Sequence, residues 1–238
     1  MSMDRRSFIR TCTGTVAGAM VAGNLVERLA NAGDLMTYTK SRLVDADGKP
    51  LKAATLTTAE AYFFNYPIKS APCLLIKLGS AASPTNLKTH AGETYSWQGG
   101  VGPAKDVVAY SAICSHQLAY PMKAATVVAY SADQSELAGR KGVITCCAHN
   151  SVFDPAKGGE VTYGPANQPL AAVRLEYDPS DDTLYATGVY GGTLFDDFIK
   201  SYKADLMEEF GRGQYKKPTD ADVKAVLLSK YSDAVVTC

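Results

Sequence analysis

The chain has 238 residues with 24 basic and 24 acidic side chains, so its formal net charge is zero. Nothing in that balance marks a nucleic-acid or anionic-membrane surface, and no nucleic-acid partner is expected. Hydrophobic residues make up 46% and charged ones 20%, the composition of a globular protein. The length suits one domain with an export signal and a tail, or two small domains.

In chain order, Asp4-Arg5-Arg6-Ser7-Phe8-Ile9-Arg10 reads as a twin-arginine export signal. A weakly apolar run over 11–26 follows, and Ala30-Asn31-Ala32 offers a cleavage site before Gly33, giving a signal over 1–32 and a periplasmic location. The alternatives are an ordinary basic N-terminus and an uncleaved anchor. A spanning helix needs about 20 mainly apolar residues. This run is diluted by Thr and Gly and meets Asn24, Glu27 and Arg28, so membrane association is expected only if the signal is kept.

Residues 35–44 read as a strand, Asp45-Ala46-Asp47-Gly48 as a turn, and 49–57 as the return. A short aromatic stretch over 59–66 ends at Pro67. Cys73 lies in a buried strand stopped by Gly79, as an inert thiol. Residues 80–102 are polar and Gly-rich and read as a long loop. The single Trp97 is placed against the core, and His90 in solvent. Residues 106–111 form a strand leading to Cys114-Ser115-His116. The 29 residues from 117 to 145 hold an extra strand at 127–130, a turn or short helix at 133–140, and a strand at 142–145. Cys146-Cys147-Ala148-His149 follows, and 170–177 with 183–189 make a closing hairpin.

Cys114, His116, Cys146 and His149 are the candidate metal ligands, two sulfurs and two nitrogens with one of each in either stretch. A Cys2His2 zinc site uses the same donors. Zinc fingers, however, group the Cys pair apart from the His pair, whereas the mixed pairing here suits two irons with different ligands. Two ferric ions and two sulfides sum to plus two, which two thiolates cancel. Neutral imidazoles on the second iron therefore raise the potential, to roughly −150 to +300 mV.

After His149 come Asn150-Ser151-Val152-Phe153-Asp154, Gly158-Gly159 and Gly164-Pro165-Ala166. This resembles the Rieske signature. The resemblance implies an antiparallel β-sandwich-like Rieske domain over 33–190, a cluster-binding subdomain inserted at about 112–168, and a 2Fe–2S cluster. It implies Cys114 and Cys146 on the buried iron, His116 and His149 on the outer iron, and a sulfur-directed hydrogen bond from Ser151. Phe153 stands where high-potential members carry Tyr, so one donor is missing. Ala119 and Ala148 occupy the positions of the inter-loop disulfide found in many members, so no loop-to-loop disulfide is expected. Cys147 and Cys238 have no evident partners, although the compartment of an exported protein would permit a disulfide. The 117–145 connection is longer than many members need and carries an insertion.

Phe64-Asn65-Tyr66-Pro67, Ser70-Ala71-Pro72-Cys73, Val108-Ala109-Tyr110-Ser111 and Leu175-Glu176-Tyr177-Asp178 are similar to the small subunit of arsenite oxidase. That resemblance implies an electron-transfer subunit taking single electrons from a large molybdopterin subunit and passing them to a cytochrome c or cupredoxin. Gln117, Leu118, Asn150, Pro165 and Ala166 are the expected docking surface. Exposed imidazole ligands would couple reduction to proton uptake. A quinol–cytochrome c reductase subunit is the alternative, and it needs a membrane anchor.

The tail, 191–238, lies beyond the resemblance and reads as a helical extension. Phe195, Phe198, Ile199, Tyr202, Leu206 and Phe210 recur at helical spacing up to Gly211. Pro218-Thr219-Asp220 would cap a second helix with Val223, Val226, Leu227 and Tyr231 on one face. Such helices either cover the sheet or clamp a partner.

Overall fold

The computed structural model describes residues 35–238. The expected export signal over 1–32, with Cys12, lies outside the described residues. Among the described residues no helix is long and apolar enough to cross a membrane.

Strands β1 (Leu35–Val44), β2 (Ala61–Asn65) and β3 (Pro72–Lys77) precede a hairpin of β4 (Thr85–Lys88) and β5 (Thr94–Trp97). Next come β6 (Val107–Ser111), β7 (Val128–Ser131), β8 (Val143–Cys146), β9 (Ser151–Asp154) and β10 (Glu160–Tyr163). Then β11 (Ala172–Asp178) and β12 (Thr183–Tyr190) form the closing hairpin. The tail contributes α1 (Thr193–Ser201), α2 (Lys203–Phe210), β13 (Asp222–Lys224), β14 (Val226–Leu227) and α3 (Leu228–Tyr231).

The fold is mainly β. An eight-stranded sheet runs in the order β13-β1-β12-β11-β6-β3-β2-β14, and a separate four-stranded sheet in the order β10-β9-β8-β7. The smaller sheet comes entirely from the chain between β6 and β11. Its β7 is the extra strand expected in the insertion, and residues 133–140 form turns.

The larger sheet is buried on both faces, and the strand period of two sorts its residues between two cores. On β3, Cys73 and Leu75 enter one core and Leu74 and Ile76 the other. On β6, Val107 and Ala109 divide from Val108 and Tyr110 in the same way. The first core is roofed by Leu194, Phe195, Phe198 and Leu206 of α1 and α2. The second faces the smaller sheet and contains Cys114, Cys146 and Phe153. The smaller sheet thus packs against the β3–β6 face rather than hanging from it by loops.

Three sequence expectations need correction. Residues 49–57 are not a returning strand but make isolated bridges at Pro50 and Lys52 and a short 3-10 turn over Ala53–Thr55. Residues 80–102 are not a featureless loop. They hold the β4–β5 hairpin, whose alternation buries Leu87, Tyr95 and Trp97 and exposes Lys88, Thr94 and Ser96. Trp97 is in the core, 6.2 Å from the ring of Tyr110, as expected. The second expected tail helix is mostly strand. β13 pairs in parallel with β1, placing Asp222 opposite Arg42, and β14 pairs antiparallel with β2, placing Val226 opposite Phe63. Only the buried Ala225 separates them, so the tail bridges both edges of the sheet, covering Arg42–Val44 of β1 and Tyr62 and Phe63 of β2. The first helical segment forms as expected, broken into two at Tyr202. It covers the sheet.

Candidate metal centre

Two loops project from the small sheet and from β6 toward one point. The first arm leaves β6 at Ser111, whose Oγ accepts from the Ile113 N–H at 3.0 Å. It closes on itself: Cys114 N donates to Ala119 O at 2.8 Å and Leu118 N to Cys114 O at 2.9 Å. Ser115 Oγ donates to Gln168 O at 2.7 Å, tying this arm to the loop after β10. Beyond it, Tyr120 meets Phe198 and Tyr202 edge-on, each with ring centroids 4.9 Å apart, so α1 props the arm from behind.

The second arm is the hairpin loop between β8 and β9, where Cys146 stands opposite Ser151 in register. Leu118 and Asn150, one in each arm, both have φ of +60°. Left-handed backbone at non-glycine residues is uncommon and concentrates where surrounding structure fixes a loop for function. The loop carrying Gly164 lies over the second arm. A Cβ at Gly164 would sit 2.1 Å from Asn150 O, and its φ is +91°, so only glycine fits there.

These arms bring all five sequence-predicted site residues together. Cys114 and Cys146 are fully buried and carry free thiols. The two sulfurs share a hydrogen bond, and that bond chiefly holds Cys114 below the usual thiol range, with help from the His116 and Gln117 N–H groups and the Ser151 hydroxyl. Cys146 is pushed up, first by that shared bond and then by burial, while the Ala148 and His149 N–H groups pull it down. Each sulfur therefore faces two backbone N–H donors from its own arm, an arrangement suited to thiolate ligands. Ser151 is fully buried, and its Oγ also accepts from Ala166 N at 3.3 Å.

The imidazoles form a second, outer pair. His116 and His149 have ring centroids 5.0 Å apart and an interplanar angle of 83°. His149 is exposed and His116 half-buried. His116 Nδ1 is buried without a hydrogen-bond partner. A buried ring nitrogen left unpaired is costly, and a metal ion is what would satisfy it. Among the described residues, no three Cys, His, Asp or Glu groups converge as a ligand set for one ion. The four candidate ligands lie as a buried sulfur pair and an outer pair of imidazoles, a division that would suit two irons with unlike ligands.

The Rieske [2Fe-2S] domain family matches residues 86–174, a span containing both arms. An iodate reductase subunit IdrB from Pseudomonas sp. (strain SCT) is 31% identical over 189 residues, covering 79% of this chain and 80% of that protein. The chain belongs to the Rieske family. The corresponding IdrB of Denitromonas iodatirespirans is 28% identical to this Rieske protein over 190 residues, 79% of this chain and 82% of that one. Among solved structures, the soluble domain of Rieske protein II from Sulfolobus acidocaldarius is 25% identical. It aligns with a TM-score of 0.47 over 64% of this chain and 78% of that one. The cofactor of this Rieske protein is a 2Fe–2S cluster of Rieske type.

One expected docking residue is corrected. Gln117, Asn150 and Pro165 are exposed and Leu118 half-buried, but Ala166 is only 8% exposed and backs Ser151 instead of offering surface. Sequence reasoning also missed the Ser115–Gln168 and Tyr120–Phe198 supports, since neither pair shows a local signal. It left the pairing of Cys147 and Cys238 open, and they form a disulfide across 91 residues. That bond does not join the two arms, so the expected absence of an inter-arm link stands with Ala119 and Ala148.

Proposed function

We propose that this Rieske protein is the electron-transfer subunit of a periplasmic oxidoreductase with a large molybdopterin catalytic subunit. The buried sulfur pair beside an outer imidazole pair, with His149 exposed and His116 half-buried, carries the reading. When bound, the cluster supplies a site that takes up and gives back one electron at a time. Cys114 and Cys146 would hold the buried iron, and His116 and His149 the outer one. Four backbone N–H groups and the Ser151 hydroxyl temper the sulfur charge, and the sulfur-bearing residues are fully buried. His149, Gln117, Asn150 and Pro165 form the face toward a partner, where electron exchange is shortest.

The curated relatives are named as iodate reductase subunits, which supports assembly with a catalytic subunit and electron flow toward it. The arsenite-oxidase resemblance supports the same architecture with flow outward to a cytochrome c or cupredoxin. Purification of the complex from its native source, with identification of the co-eluting large subunit, tests the proposal. A molybdopterin protein is expected. A cytochrome b in its place would assign the chain to a quinol-oxidising complex, and its retained N-terminus would then serve as the anchor.

A further inference from the structure

We propose that the C-terminal seven residues are a strap that positions the second ligand arm, with the Cys147–Cys238 disulfide as its clasp. The strap starts from the large sheet. There β14 pairs with β2, and Tyr231 stacks on Phe63 with ring centroids 3.5 Å apart. It then crosses to the stretch between the two arms. Ser232 Oγ donates to Met122 O at 2.6 Å and Asp233 N to Lys123 O at 2.8 Å. Thr126 N donates to Ala234 O, and Val236 N back to Thr126 O, both at 2.9 Å. Ser135 Oγ donates to Cys238 O at 2.6 Å, and Cys238 then closes on Cys147, beside the ligand Cys146.

The placement decides the role. Residues 233–237 are exposed, so the strap adds little to either core. It instead connects the large sheet to the end of β8, where the ligand-bearing hairpin begins. Without it, the small sheet is joined to the large one through its two chain crossings and the packing between them. Strand pairing at Thr126 and the covalent bond at Cys147 fix one end of the hairpin that presents Cys146 and His149. A cross-link that closes a long loop restricts opening of what it encloses. Here the enclosed stretch begins one residue after Cys146 and contains His149, β9 and the covering loop, together with the closing hairpin and the tail.

The test uses the full-length holoprotein, with Cys238→Ser compared against wild type. Thiol alkylation and mass measurement first establish the wild-type bond. Iron release to a chelator is expected to be roughly tenfold faster in Cys238→Ser, as local opening of the arm becomes easier. The spin-resonance signal of variant molecules that retain the cluster should be shifted and broadened. Should the variant not accumulate, folded wild type is opened with dithiothreitol, which reaches the half-buried disulfide, and then reoxidised. Faster iron release that returns to the original rate on reoxidation supports the strap. Release rates within a factor of about two and superimposable spectra would overturn it, as would alkylation of both Cys147 and Cys238 in unreduced wild type.

Discussion

Replacing Ser151 by Ala removes two interactions whose consequences separate cleanly. The hydroxyl donates toward the Cys114 sulfur, and its oxygen accepts from the buried Ala166 N–H at 3.3 Å. A donor to a ligand sulfur stabilises the more electron-rich reduced state more than the oxidised one, so its loss lowers the potential. A net hydrogen bond is worth about 0.5–1.5 kcal/mol. At about 59 mV per tenfold for one electron, the drop is roughly 20–60 mV if that energy is felt mainly by the reduced state. Separately, the Ala166 N–H is left unpaired inside the protein, costing about 1–3 kcal/mol of stability. A redox titration followed by spin resonance, with a thermal melt of the same preparation, measures both effects. An unchanged potential in a variant with a full cluster and a lowered melting temperature would refute the reasoning. The hydroxyl would then serve the covering loop and not the sulfur.

Phe153→Tyr is the converse change. Phe153 is fully buried on the same strand face as Ser151, so a phenol there should raise the potential by roughly 20–60 mV if it reaches a sulfur; no change with an intact cluster would put the ring elsewhere. Gly164→Ala drives a Cβ into Asn150 O and should displace the covering loop, seen as faster iron loss to a chelator. Retention at the wild-type rate would show that the loop has room to shift. Phe198→Ala removes a fully buried ring that supports Tyr120, with an expected cost of about 3–5 kcal/mol in denaturant unfolding. A loss below about 1 kcal/mol would mean that α1 does not prop the first arm. Since His149 is exposed and His116 half-buried, the potential should fall as pH rises; a flat response to strongly alkaline pH counts against imidazole ligation at the outer iron.

The candidate ligand set could be proposed from the sequence because its information is local. Cys114, His116, Cys146 and His149 declare themselves by residue type and spacing, and Ser151 and Gly164 by their place after them. The long strands β3, β6, β11 and β12 were legible too, since continuous apolar runs between turn residues leave few other readings. The hairpin at 85–97 was hidden because its strands are short and half their residues polar, so composition outweighed alternation. The tail misled for a different reason. Val223, Val226, Leu227 and Tyr231 satisfy helical spacing, but the free edges of β1 and β2 compete for the same backbone, and this tertiary pairing overrides local periodicity. The partner of Cys147 lies 91 residues away, and no local pattern could have matched them.

Analysis of metal and sulfide in the purified, intact protein, with low-temperature spin resonance after dithionite, tests the core of this account most directly. Two irons and two acid-labile sulfides per chain are expected, with a signal showing hyperfine coupling to two histidine nitrogens that is lost in His116→Ala and His149→Ala. One zinc, no sulfide and no signal would contradict it.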